Sequence, residues 1–333
     1  MWWISATCSR EPAPGRGVGE DVLRTHPNGH LHSNYSVLYR LAQRFQDPNA
    51  QGVAAWMESL GQVNFEDYWS LAWFDAGLKA VPIDHQPTWH YFPDEELAVW
   101  RSSWRPDATL LAVKCGPPEG HAAGILSARL KDWRREDGHA HPDAGSFILY
   151  AGGRYLIGET GYAGIPVTAD QNTLLVDGQG QASEGKGHNA FEGYPYDRLD
   201  RLHLENLSFS SHAAHIEADA TFAYAEGLGL TQFRRSFDLT GQTLNVTDQV
   251  SSKDPHTYAV LFHADGGTMP PSLSLSVERP AGASVARGPE WLIAAGPPGH
   301  VDRGPREQRG SVLSVTVPSP VAATVFATRL EWK

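Results

Sequence analysis

From Tyr35 onward the chain reads first with a helical period and then with a strand period. In "SNYSVLYRLAQRFQDPNA", Tyr35, Leu38, Ala42 and Phe45 recur at the spacing of one helix face, with Arg40, Gln43 and Arg44 on the other side. Ser33 or Asn34 suits the N-cap, and Asp47-Pro48 ends the run. "AQGVAAWMESL" and "FEDYWSLAWFDAGL" continue as two short helices. Residues about 33 to 80 are therefore predicted helical, with Pro82 and Pro87 marking a linker.

From about residue 97 the pattern changes to short apolar runs bounded by Gly, Asp, Asn or Pro. "ELAVWRSSW" and "ATLLAVKCG" are two of them. "SFILYAGGRYLIGE" predicts a hairpin folded at Ala-Gly-Gly. "NTLLVDGQG", "AAHIEADATFAY", "TQFRRSFDLTGQTLNVTDQV", "TYAVLFHAD" and "AATVFATRLEW" extend the series. Strands at this spacing predict a large antiparallel sandwich. The fold class is α+β: a helical segment over 1–90 packed on a β-sandwich over 91–333.

Composition narrows the partners. A formal net charge of -11 argues against nucleic acid and anionic membrane, though a basic pocket can coexist with an acidic surface. No apolar run is long enough to span a bilayer. The N-terminus as written has no basic start followed by an apolar stretch, so it does not read as a signal peptide. Two cysteines, Cys8 and Cys115, do not make a disulfide framework.

The chemistry concentrates in "EDGHAHPDAGSFILYAGGRYLIGETGY", residues 136–162. On a strand, His139 and His141 share a face and Ala140 turns away. The hairpin that follows brings Glu159 back toward His141. A histidine with a carboxylate makes a partial zinc site that still needs a third ligand. The alternative is that both histidines cap a sheet edge, with Asp143 holding backbone in a turn.

This stretch, followed by "NTLLVDGQGQ", resembles the core motif of the heparinase II/III-like polysaccharide lyases. "EADATFAY", "FRRSFDLTGQTLNVTDQV" and "YAVLFHAD" resemble later strands of that family in the same order, and "LAVWRSSWRPDATLLAVKCGPPEGHA" resembles the strands before the His-x-His. The resemblance runs from about residue 95 to about 265. It implies a β-sandwich that normally follows an (α/α) toroid, and β-elimination on an acidic, uronate-containing polysaccharide. By position, His139 matches the catalytic histidine and His141 the metal-binding one, with Glu159 where the family usually has Asp. The implied cofactor is a divalent metal, zinc by the family pattern. Gln171 stands where a ligand histidine is usual, and glutamine is a poor zinc ligand; His188 is the nearest downstream substitute, or else a solvated loop residue.

Only about ninety residues precede the β region, so most of a toroid is missing, and a toroid-bearing partner chain is an expectation. Tyr35 is the candidate catalytic tyrosine, or else core packing on its helical stripe. Arg101, Lys114 and Arg234 are candidates to meet a uronate or sulfate. In an alternating strand only one of Arg234 and Arg235 can face a cleft. Trp89, Trp100 and Trp104 either stack on sugar rings or pack a domain junction. A noncatalytic acidic-glycan-binding module and a uronyl C5-epimerase are the rival readings. A periplasmic or secreted location follows only from the resemblance.

Overall fold

The computed structural model describes residues 35–59, 67–130, 141–158, 166–182, 184, 190–191, 193–264, 269–292 and 307–333. Among the described residues the helices α1 (Tyr35–Phe45), α2 (Pro48–Ser59) and α3 (Asp67–Trp73) precede the strands. Tyr35, Leu38, Tyr39 and Ala42 form the buried face of α1. Phe45, expected on that face, is exposed. It is the last residue of the helix, at the rim of the stripe, where the chain reverses through Gln46 at φ 51°. Asp47 then accepts a hydrogen bond from the Asn49 N–H (2.9 Å), and Pro48 opens α2 where a missing N–H costs nothing. The residues proposed to cap α1, Ser33 and Asn34, lie outside the described residues.

The described residues that follow are mainly antiparallel β, in three sheets. β1 (Trp89–Phe92), β2 (Leu97–Arg101), β3 (Leu110–Lys114), β4 (Ser146–Ala151) and β5 (Arg154–Ile157) form the first, in that order. A helix, α4 (Gly120–Arg129), lies between β3 and β4. β6 (Leu174–Val176) and a short helix, α5 (Tyr196–Leu199), precede a long series: β7 (His203–Phe209), β8 (Ala213–Asp219), β9 (Leu230–Thr240), β10 (Thr243–His256), β11 (Tyr258–Ala264), β12 (Leu273–Arg279), β13 (Ser284–Leu292), β14 (Glu307–Thr316) and β15 (Val321–Trp332). The second sheet runs β12-β15-β10-β9-β8-β7, and the third β13-β14-β11-β6.

Strand alternation builds the core. Ala98 and Trp100, Leu111 and Val113, and Phe147 and Leu149 join Ile216, Phe233, Phe237, Val246 and Phe326 of the second sheet and Val260, Phe262 and Val315 of the third in one cluster. The residues between them, Leu97, Val99, Leu110, Ala112, Ile148 and Tyr150, form a second cluster on the other face of the first sheet. That double burial explains why β2 and β4 read as continuous apolar runs. The predicted hairpin is present: β4 and β5 pair antiparallel, with Gly152 and Gly153 both at positive φ in the turn.

The helix α4 was not evident in the sequence pattern. Its local signal is weak: two glycines, and at its N-cap Glu119, in the left-handed region and making no side-chain cap. Tertiary contact supports it. A Cβ on Gly124 would fall 1.6 Å from the Tyr196 ring, and the Tyr196 hydroxyl meets the carbonyls of Gly120 (3.0 Å) and His121 (3.2 Å). His121 is gripped by Asp200 (2.6 Å) and Glu96 (3.3 Å). Among the described residues no helix is long and apolar enough to cross a membrane.

Candidate active site

Asn172, 0% exposed and just before β6, is a heavily bonded polar group in the interior. Its amide N–H groups donate to the carbonyl oxygens of Phe147 (2.8 Å) and Gly158, and its amide oxygen accepts from the His263 N–H (2.7 Å). Its own N–H donates to the Ser146 hydroxyl (3.1 Å). One side chain thus ties the start of β4, the end of β5 and the body of β11 together. Gly158 and His263 also pair as an isolated bridge. Polar groups this deep must be bonded to be tolerated, so the arrangement holds these segments in one register.

Around Asn172 lie the groups with chemical potential. His141 is 4% exposed, and its Nδ1 stands 3.3 Å from Nε2 of Gln171, itself 1% exposed. His263 is also buried. His141 is not on a strand, contrary to expectation. Pro142 offers no N–H to a ladder, and the His141 carbonyl is taken by the Asp143 N–H (2.9 Å), so the chain turns here before β4 begins. Asp143 completes the turn by accepting from the Ser146 N–H through its carbonyl (2.8 Å), while its carboxylate pairs with Lys114 at 2.9 and 3.1 Å.

Two clamps hold this segment. Arg235, 1% exposed, donates from Nη1 to the carbonyls of Gly145 (2.9 Å) and Asn172, and its Nε pairs with Asp248. Burial raises the Asp248 pKa above the ordinary carboxylate range, and Arg235 opposes that shift. On the other side Gln181 receives the Ala144 N–H (3.0 Å) and donates to the Ala144 carbonyl (2.8 Å). The Gln181 N–H donates to the Thr168 hydroxyl (2.7 Å), and Thr168 donates through both N–H and hydroxyl to Glu184. Burial pushes the Glu184 carboxyl up, against the pull of these donors.

The other predicted residues that are described are dispersed. His139, Glu159 and His188 lie outside the described residues. Tyr35 is buried edge-on to Tyr39, centroids 6.1 Å apart, in the helical core. Arg101 is buried at the junction of helices and sheet, its guanidinium 4.1 Å from the Trp104 ring centroid and 5.7 Å from that of Trp56. Burial lowers its pKa to about 10. Arg101 and Lys114 share a sheet face but sit at opposite ends of β2 and β3. Arg234 is half-exposed on the outer face of β9 and paired with Glu205 (2.8 Å) and Asp219 (3.3 Å). Its neighbour Arg235 is the inward one. Sequence reasoning did not single out Asn172, Gln181 or His263; the signal available was a polar residue inside an otherwise apolar strand run.

The fit of a metal can be tested on these donors. The Gln171 amide oxygen is buried and accepts no hydrogen bond from the described residues. Yet among the described residues no three His, Cys, Asp or Glu side chains converge as a cage. An imidazole and an amide fall short of the three or four ligands zinc takes, so the described residues alone do not fit it.

The comparisons bear on fold and family. The family described as heparinase II/III-like, C-terminal, matches residues 85–304. A solved heparinase III gene product superposes with a TM-score of 0.60 at 17% identity, covering 98% of this chain and 44% of its own. The heparan sulfate lyase HepC from Pedobacter heparinus gives 0.61 at 14% identity, with 98% and 45% covered. A further heparinase III structure gives 0.60 at 12% identity, with 99% and 47% covered. At such identities the likeness is one of fold, and this chain spans less than half the length of those proteins. None of the curated proteins matches it. With the family match covering more than half of its length, and the same sandwich beneath it, the chain belongs to the heparinase II/III-like family through that family's C-terminal region.

Proposed function

We propose that the chain acts in β-elimination on a uronate-containing polysaccharide, as the sandwich part of a lyase. The observation that carries this reading is that the family match spans the His-Ala-His segment, whose described end, His141, is buried against Gln171. In the reaction a base removes the proton at C5, the electron pair forms the C4–C5 double bond, the C4–O bond breaks, and an acid gives a proton to the departing oxygen. The proton beside a carboxylate is acidic enough to remove only when the developing negative charge is met by donors or cations.

His139 is assigned the proton transfer. His141 holds the segment through Gln171 and the Asp143 turn. Lys114 is the cation assigned to the uronate, because its partner Asp143 is two residues from His141. Exchange of that carboxylate for the substrate's would keep its charge balanced. Arg101 and Arg234 are engaged at the helical junction and on the outer sheet face, and Tyr35 serves packing. The described donors do not complete a metal site.

The test is product analysis after incubation with heparan sulfate, alginate and chondroitin in deuterated water. An unsaturated uronate end supports elimination. Deuterium at C5 without cleavage supports epimerisation instead, and retention on an immobilised glycan with neither supports a binding module.

A further inference from the structure

Arg201 lies between α5 and β7 and is exposed. Its guanidinium carbon stands 3.4 Å from the centroid of the Phe222 ring. A planar group that close to a ring centroid lies flat on the ring. Stacking of this kind uses the face of the guanidinium and leaves its N–H donors, which lie in the plane, directed outward. Among the described residues no carboxylate, carbonyl or hydroxyl takes those donors, although the chain carries a net charge of -11. The nearby carboxylates have other partners or stand apart. Asp200 is held by His121 (2.6 Å) and Glu226 by Arg198 (2.7 Å), and exposed Asp197 makes no ion pair with Arg201.

The ring beneath Arg201 is fixed. Phe222 sits in a one-turn 3-10 helix (Thr221–Ala223) and packs on the main core cluster. Arg198 approaches the same ring at 5.6 Å, and its donors are taken by the Tyr194 hydroxyl (3.1 Å), Glu226 (2.7 Å) and the Tyr224 carbonyl (3.1 Å). The Tyr194 hydroxyl in turn meets the carbonyls of Phe222 (3.0 Å) and Tyr224 (2.6 Å). This platform is docked on the turn that follows His141. A Cβ on Gly145 would stand 3.5 Å from that of Ala220, and the Ala182 N–H donates to the Ala223 carbonyl (2.7 Å). Gln181 bridges to Tyr224 and clamps Ala144 with its side chain. Lys114 is tied to the same turn through Asp143.

A planar guanidinium matches two oxygens of a carboxylate or sulfate at once, and one already laid on a fixed ring loses little freedom when it does so. We propose that Arg201 on Phe222 is an anion-binding point for an acidic glycan, holding the carboxylate or sulfate of a sugar unit other than the one assigned to Lys114. This rests on the acidic-glycan part of the reading above. It gives that glycan a second cationic contact and assigns Arg201 to binding, with no part in proton transfer.

The experiment is calorimetric titration of the His139→Ala chain, chosen to suppress the proposed cleavage, with alginate, heparan sulfate and cellulose hexasaccharides. The first carries carboxylates only, the second carboxylates and sulfates, and the third no charge. At least one acidic hexasaccharide is expected to bind saturably, and the neutral one not to bind. Adding Arg201→Ala is expected to weaken the acidic ligand roughly three- to tenfold, the scale of one exposed charge-assisted pair, with far-ultraviolet circular dichroism unchanged. A loss confined to heparan sulfate identifies a sulfate contact, and a loss with both a carboxylate contact. Arg201→Lys keeps the charge without the fork and is expected to recover only part of the loss. Arg105→Ala removes the same charge between β2 and β3, at the far end of those strands from Lys114, and is expected to change affinity less than about twofold. The proposal is overturned if no acidic hexasaccharide binds, if Arg201→Ala or Arg201→Lys binds as the parent does, or if Arg105→Ala weakens binding as much as Arg201→Ala. Unsaturated product from wild type with no effect of Arg201→Ala overturns this site alone, whereas the Arg201 effect without product overturns the proposed reaction alone.

Discussion

Replacing Asn172 by alanine removes three buried hydrogen bonds at once. The His263 N–H is left with no acceptor, at a cost of about 1–3 kcal/mol. The carbonyls of Phe147 and Gly158 each lose one donor; a carbonyl has a second lone pair, so about 1 kcal/mol each is the appropriate scale. The sum is roughly 3–5 kcal/mol, at the upper end of what single substitutions do. For a domain of this size that corresponds to a fall in Tm on the order of 10 °C. Asn245→Ala, on the outer, half-buried side of β10, is the control, with an expected change within about 0.5 kcal/mol. Thermal and urea unfolding followed by circular dichroism measure both. If Asn172→Ala costs less than about 1 kcal/mol, or no more than the control, then Asn172 does not knit β4, β5 and β11 as described.

Three further outcomes are expected. Arg235→Met alone should cost about 3–5 kcal/mol, because Asp248 is left without its partner in the core; adding Asp248→Leu should recover part of that loss, and a double variant worse than the single would contradict it. At His215 burial favours the neutral form, but Asp238 and then Glu217 outweigh it and raise the pKa above the ordinary histidine value. Its contribution to stability is therefore complete below the unfolded value of about 6.5 and lost as pH rises through the folded one. His215→Gln should flatten the stability profile over that window, and an unchanged profile would refute the pairing. Gln171→His should raise zinc bound per chain, measured by mass spectrometry of the metal, if position 171 faces a site with His141; no gain removes it from any ligand set.

Much of the frame was legible in the sequence because it rests on local rules. The Ala-Gly-Gly hairpin, the period-two runs and the helical stripe at Tyr35, Leu38 and Ala42 each declare themselves within about a dozen residues. What failed depended on distant partners. The helix α4 is supported by Tyr196, 76 residues beyond Gly120, and its own residues favour it weakly. The assignment of His141 to a strand overlooked Pro142 beside it. Strand alternation said that one of Arg234 and Arg235 turns inward but not which. Phe233 and Phe237 share the inward parity with Arg235, a cue that was present and unused. Asn172 could not be weighed from sequence, since its three partners come from three separate strand regions.

The central claim is proton abstraction by the His-Ala-His segment. The direct measurement is the absorbance of unsaturated uronate as the purified chain acts on heparan sulfate and other uronate polymers, for wild type, His139→Ala and Lys114→Ala. The account predicts product from wild type, a loss on the order of 10²-fold or more in kcat for His139→Ala, and a raised KM for Lys114→Ala. Absence of unsaturated product from every uronate polymer, or a His139→Ala chain as active as wild type, would contradict it.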